Sequence, residues 1–153
     1  MAVLGKKAAD AFPGLDEFLC FSIYSTGHAF NQIYRPLLDK LELTYPQYLV
    51  MVSLWGGDGQ TVKELGAQLS LDSSTLTPLL KRLEARGYLS RRRDTQDERQ
   101  VRLVLTPEGQ ALQQRAREIP ACVAREIGLK KEDYHTLQRL LGEVRERLTK
   151  SAE

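Results

Sequence analysis

The sequence predicts a mainly α-helical fold with a small β wing, a winged helix-turn-helix flanked by helices at both ends. Three observations carry this. A capped, polar-faced helix runs from Leu71 towards Gly87. An arginine-rich hairpin pattern follows it to Thr106. Long apolar-periodic segments lie on either side.

Pro13-Gly14 precedes the first of these segments. Leu15, Phe18, Leu19, Ile23, Phe30, Ile33, Leu37 and Leu38 fall mostly three or four apart, the spacing of one helix face. Cys20, Phe21 and Tyr24 lie off that stripe, so the helix is apolar over much of its circumference and is expected to be buried against more than one element. Pro36 is expected to interrupt or re-angle it, because the ring clashes with the preceding turn. Thr44-Tyr45-Pro46 opens a core helix carrying Leu49, Val50, Val52, Leu54 and Trp55, ended by Gly56-Gly57-Asp58-Gly59.

Val62, Leu65, Leu69 and Leu71 mark a short helix. A tight turn then leads to Asp72 or Ser73, either of which can cap the next helix by accepting an orphan backbone N–H. Leu76, Leu79, Leu80 and Leu83 repeat at helical spacing, and Gly87 is the stop. Leu89 to Arg93 and Gln100 to Leu105 can pair as strands across the polar join Asp94 to Arg99. Thr106-Pro107-Glu108 is an N-cap, a proline at the first helical position and a first-turn acid. The helix it opens is expected to reach about Glu118, where Pro120 kinks or interrupts it. From Glu132 onward, Leu137, Leu140, Leu141, Val144 and Leu148 form one stripe on a charged terminal helix.

Length and composition fit this plan. At 153 residues and 42% hydrophobic, the chain can build one domain (1–153). Within it, residues 45–106 form the winged lobe, and 12–43 with 107–150 form helical arms. No apolar run approaches the roughly 18 residues of a membrane span. Lys6 and Lys7 are not followed by an apolar signal stretch. A cytoplasmic protein is expected. Cys20 and Cys122 are then free thiols rather than a structural bridge. Zinc is not expected, since there is no CxxC and His28 and His135 are isolated. No cofactor is implied. There is no glycine-rich phosphate loop and no GxSxG, so nothing marks an enzyme.

The net charge of +2 says little about nucleic acid, but its distribution does. Five arginines, Arg91, Arg92, Arg93, Arg99 and Arg102, sit within twelve residues. A helix beginning Ser73, Ser74, Thr75, Thr77 presents small polar groups where a recognition helix meets base edges. Lys81 and Arg82 further along suit phosphates. Arginines on a wing suit phosphate or a narrow minor groove. This predicts binding to double-stranded DNA. Apolar helices at both ends suggest a homodimer, whose two-fold axis would match a palindromic operator.

Cys20 is the second focus. A free cysteine is often only a small hydrophobe. Asp16 and Glu17, a turn upstream, disfavour a thiolate, while the helix N-terminus favours one. Nothing local decides between them.

Resemblance adds to this. The segment DERQVRLVLTPEG carries Asp97, Arg99, Leu105 and Thr106 in the D-x-R-x-x-x-x-x-L-T pattern of the MarR family. FLCFSIYS around Cys20, YRPLLDKLELTYPQYLVMVSLW from Tyr34 to Trp55, and LDSSTLTPLLKRLE from Leu71 resemble its organic-hydroperoxide-sensing OhrR branch. The resemblance implies that Cys20 is the peroxide-reactive thiol. It implies that Tyr34 and Tyr45 hydrogen-bond to that thiol, and that Cys122 resolves the oxidised sulfur as an intersubunit disulfide. It also implies that Asp97 and Arg99 brace the wing, so that Arg99 acts more on wing shape than on DNA. Phe18, Phe21, Tyr24 and Tyr34 would line a pocket for an alkyl or aryl peroxide. The expected function is a repressor that binds its operator when reduced and is released on oxidation of Cys20 by organic hydroperoxide. The alternatives are a regulator of the same fold that answers a small phenolic ligand, and a thiol peroxidase.

Overall fold

The computed structural model describes residues 12–152, so Lys6 and Lys7 lie outside the described residues. The chain forms two compact units, Met1–Arg117 and Glu118–Glu153. In the first, a 3-10 turn at Leu15–Glu17 leads into α1 (Leu19–Asp39), α2 (Tyr45–Gly56), α3 (Val62–Leu69) and α4 (Ser73–Ala85). Strands β1 (Leu89–Arg93) and β2 (Val101–Leu105) and helix α5 (Pro107–Ala116) complete it. The second unit holds α6 (Ile119–Ile127) and α7 (Lys131–Ser151). The mainly α architecture with a two-stranded antiparallel wing is as the sequence predicts.

Each helix of the winged lobe starts where a side chain satisfies its orphan amides. Thr44 and Gln47 form a reciprocal capping box on α2, and Thr61 and Glu64 form one on α3. α3 ends at Leu69. Ser70 turns left-handed at φ +54°, and the Leu71 N–H bonds back to the Gly66 carbonyl at 3.0 Å. Leu71 therefore belongs to the turn, not to the helix. A Cβ at Gly66 would lie 2.8 Å from the Leu71 carbonyl oxygen, so the tight turn needs glycine there. Asp72, not Ser73, caps α4. Gly87, at φ +76°, closes α4 as expected.

The lobe's core is leucine-rich: Leu54, Leu65, Leu76, Leu80, Leu83, Leu89 and Leu103 are essentially inaccessible. Leu89 pairs with Leu105 and Arg93 with Val101, which leaves residues 94–100 as the hairpin loop. Thr106 caps α5 by accepting the Gly109 N–H at 3.0 Å. Gly109 lies so close to Tyr88 that a Cβ there would meet its carbonyl oxygen at 1.9 Å. Its own carbonyl accepts the Trp55 indole N–H at 2.9 Å, tying α5 to α2.

Three further expectations need correction. Helix α1 runs unbroken through Pro36, because an internal proline removes one hydrogen bond and twenty-one residues of helix carry the loss. Val52 faces solvent at 42% exposure; the core side of α2 is Tyr48, Val50, Met51 and Leu54. The interruption expected near Pro120 is present: α5 stops at Ala116, and Pro120 sits in the first turn of a separate helix, where its missing N–H costs nothing. Most consequential is α1, expected to be buried on several sides. Its only buried residue is Leu38, while Leu19, Ile23, Tyr24, Phe30 and Ile33 are exposed. In the second unit, no residue of α7 is buried, its leucine stripe included.

Candidate nucleic-acid interface and thiol site

α4 turns Leu76, Leu80 and Leu83 into the core and leaves Ser73, Ser74, Thr75, Lys81 and Arg82 exposed, with Thr77 half-buried. Several of the small polar groups are already engaged. The Ser74 hydroxyl donates to Asp72 at 2.6 Å, and the Thr75 N–H donates to the same oxygen at 2.8 Å. These bonds, the Ser74 hydroxyl first, hold the Asp72 carboxyl below its ordinary range. The Thr77 hydroxyl donates to the Ser73 carbonyl at 2.7 Å. Ser74 and Thr77 thus meet a ligand chiefly as acceptors, unless their hydroxyls rotate away. Lys81 and Arg82 are in no ion pair among the described residues.

On the wing, Arg92 and Arg93 are exposed and also in no ion pair among the described residues. Arg91 is committed: its backbone N–H and its Nε donate to the two Glu84 oxygens at 3.0 and 2.8 Å, which lowers the Glu84 carboxyl and ties β1 to α4. Asp97 and Arg99 meet at 3.1 Å, with the Arg99 side chain 91% exposed. The Arg99 guanidinium is the main reason that the Asp97 carboxyl lies low. A groove of about 530 Å³ opens between α3, α4 and the wing. Ser73, Thr77, Arg91 and Arg99 line it, together with Lys63 and Gln100. The last two are absent from the sequence-based set of DNA-facing residues. A cation in the helix before the recognition helix and an amide at the hairpin's end were the available signals.

A second wing pair also lies outside that set. Asp94 is only 6% exposed and ion-pairs with Arg102. Its other oxygen accepts the N–H groups of Gln96 and Asp97 at 2.7 and 3.0 Å. These amides, Asp97 first, and then Arg102 depress the Asp94 carboxyl. Its contribution to wing stability is therefore fully present above the ordinary carboxylate range. It is lost only as pH falls through the lowered value.

These positions give a direct test. Arg92→Ala with Arg93→Ala should weaken binding to operator and random DNA alike. It should also flatten the log–log salt dependence by about 1.8, or about 0.9 for each phosphate that is no longer neutralised. Anisotropy titrations across a salt series read this; a wild-type slope would remove the wing from the interface.

Cys20 is exposed in the first turn of α1. Glu17, upstream, spends its carboxylate on the Gly14 N–H at 3.0 Å. Tyr34 lies on the same continuous helix, about 21 Å further along at 1.5 Å per residue, so it does not meet the thiol of its own chain. It stacks instead against α2, with ring centroids 4.7 Å from Tyr45 and 5.9 Å from Tyr48. Burial pushes the Tyr45 and Tyr48 phenols above their ordinary range. The sequence-named aromatics therefore split: Phe18, Phe21 and Tyr24 stay at the Cys20 end and Tyr34 joins the tyrosine cluster. Cys122, in α6, is half-buried and accepts an Arg125 guanidinium N–H at 3.4 Å. No cluster of three metal-ligating side chains occurs among the described residues, and no helix among them is long and apolar enough to cross a membrane.

The likeness to known proteins is specific. Residues 32–115 match the family model of the transcriptional regulator SarA/Rot. The HTH-type transcriptional regulator TtmR of Methylorubrum extorquens is 45% identical over 147 residues, 96% of this chain and 75% of its own. The organic hydroperoxide resistance transcriptional regulator of Bacillus subtilis is 44% identical over 126 residues, 82% of this chain and 84% of its own. Among solved structures, reduced AbfR bound to DNA superposes with a TM-score of 0.77 at 37% identity, covering 91% of this chain and 95% of AbfR. The disulfide form of AbfR, a Staphylococcus epidermidis protein, superposes at 0.60 with 36% identity over 88% and 90% of the two chains. The capped reader helix, the arginine wing and these likenesses over most of the chain agree: it belongs to the MarR family of winged helix-turn-helix transcriptional regulators, alongside the organic hydroperoxide resistance regulators.

Proposed function

We propose that this protein is a cytoplasmic homodimeric repressor that binds a palindromic operator when reduced and leaves it when organic hydroperoxide oxidises Cys20. One observation carries the reading. Cys20 is exposed in the first turn of a helix whose apolar residues are largely uncovered among the described residues, in a chain 44% identical to a regulator named for organic hydroperoxide resistance. AbfR supports a redox element, since reduced and overoxidised forms of it were each solved on DNA and a disulfide form also exists.

The chemistry follows from the thiol. The Cys20 thiolate attacks the terminal oxygen of R–O–O–H. An S–O bond forms, the O–O bond breaks, and the alkoxide takes a proton to leave as alcohol. The Cys122 thiol then attacks the sulfenic sulfur; a disulfide forms and the hydroxyl departs as water. Tyr34 and Tyr45 would donate phenolic hydrogen bonds to the thiolate. Since Tyr34 cannot reach the Cys20 of its own chain, this role assigns the pair to the thiol of a second copy. Sensing and dimerisation would then share one interface.

Operator binding measured with and without stoichiometric organic hydroperoxide tests the reading; release by peroxide and recovery with a thiol reductant are expected. Release by a salicylate-like ligand, with no response to peroxide, would favour the small-ligand alternative. Tyr34→Phe and Tyr45→Phe should each slow Cys20 oxidation about ten- to a hundredfold, the worth of one hydrogen bond to a charged group. Operator affinity of the reduced protein should stay near wild type. Stopped-flow oxidation with a sulfenate-specific probe measures the rate, and unchanged rates would free both tyrosines of the role.

A further inference from the structure

We propose that Asp94 and Arg102, rather than Asp97 and Arg99, form the joint that fixes the wing against the reader lobe, so that both act in DNA binding as positioning residues. The inference rests on the DNA-binding reading and not on the redox one.

The two pairs differ in what they connect. Asp97 and Arg99 are two residues apart, and their bonds tie the hairpin tip to itself. Arg99 is almost wholly exposed and can leave Asp97 for a phosphate at small cost. Arg102 stands where three segments meet. Its Nε donates to Asp94 in the hairpin loop, and its Nη1 donates to the Gly59 carbonyl at 2.8 Å. Its backbone pairs with Arg92 on one side and forms a bridge to Thr61 on the other. Around it the Leu103 N–H donates to Gln60 at 2.8 Å and the Gly59 N–H to Leu103 at 3.0 Å. The segment before α3 thus lies along β2 through a single bridge and two backbone hydrogen bonds, and the Asp94–Arg102 pair joins the loop to that seam.

Asp94 is buried and Arg102 half-exposed, so the pair is less screened than the tip pair. Directly across from Arg102 stands Arg92, one of the two wing cations in no ion pair among the described residues. With Arg102 held by Asp94 and Gly59, Arg92 is left as the outward charge. If the joint opens, two arginines compete for the same space and the wing's angle is no longer set.

The consequence has a sign that charge alone would reverse. Removing a carboxylate near phosphates should tighten DNA binding by simple electrostatics. Breaking the joint should weaken it. Asp94→Asn separates the two, because the amide oxygen still accepts the Gln96 and Asp97 N–H groups and only the tie to Arg102 is lost. The probe is a duplex enriched from a random library by the reduced wild-type protein.

Asp94→Asn should bind that duplex about tenfold more weakly at fixed salt. Hydroxyl-radical protection should fade at the flanks reached by the wing and persist at the centre of each half-site, read by α4. Arg102→Gln should do the same, and the double variant should be no weaker than the weaker single one. Arg102→Gln carries the same readouts if Asp94→Asn fails to fold. Unchanged or tighter binding, protection lost evenly over the site, or fully additive losses would each overturn the joint. A wild-type protein that enriches no duplex would overturn the DNA-binding reading and the joint with it.

Discussion

Cys20→Ser should stay on its operator when organic hydroperoxide is added, while the wild-type protein is released. The hydroxyl replaces the thiol at similar size, and Cys20 is exposed in the first turn of α1 with no core packing to lose. The reduced fold and the operator affinity should therefore be unchanged. What disappears is the nucleophile, because a serine hydroxyl does not attack a peroxide O–O bond. For the wild type to fall from nearly full to nearly empty occupancy, oxidation must weaken binding on the order of 10⁴-fold. In the variant that factor should be close to one, which makes this the largest effect expected. Cys122→Ser should behave differently. It should still form the Cys20 sulfenate, visible by intact mass, and should lack the peroxide-induced dimer band on a non-reducing gel. Peroxide-driven release of Cys20→Ser would end the thiol-sensing reading.

The parts of this molecule legible in sequence are those written in local chemistry. Asp72 before a leucine repeat, Gly87 after it and Thr106-Pro107 beyond the hairpin each act within a turn of their own position, and the elements they bound are present. Elements whose environment depends on distant partners are less legible. Apolar residues over much of the α1 surface predict burial, yet in a single chain only Leu38 is covered. Among the described residues of its own unit, no surface covers the rest. Asp94 and Arg102 are hidden for a different reason: their pairing depends on hairpin register and on the approach of Gly59 from another segment. The separation of Cys20 from Tyr34 needs no structure. Helical rise alone puts them about 21 Å apart, so the proposed thiol–tyrosine hydrogen bond requires two different chains.

Leu140→Asp should abolish the proposed dimer and with it high-affinity operator binding. α7 carries Leu137, Leu140, Leu141 and Leu148 on one stripe at 39 to 66% exposure, and α1 carries a comparable run. Apolar surface of that extent calls for a covering partner. A second copy is the simplest one, since a two-fold interface buries each stripe against its own equivalent. Burying the exposed half of Leu140 is worth about half of the roughly 1.5–3 kcal/mol of a whole leucine, and two-fold symmetry counts each substitution twice. With two carboxylates then facing a formerly apolar seam, the loss should exceed about 4 kcal/mol, roughly a thousandfold in dimer affinity. The protomer should still fold, because Leu140 is 46% exposed within its own chain. Circular dichroism should thus be unchanged while sedimentation shows a monomer. A monomer has one reader helix, so binding to the full palindrome should fall to that of a half-site. A dimeric Leu140→Asp protein with wild-type operator affinity would remove α7 from the interface and leave α1 to supply it.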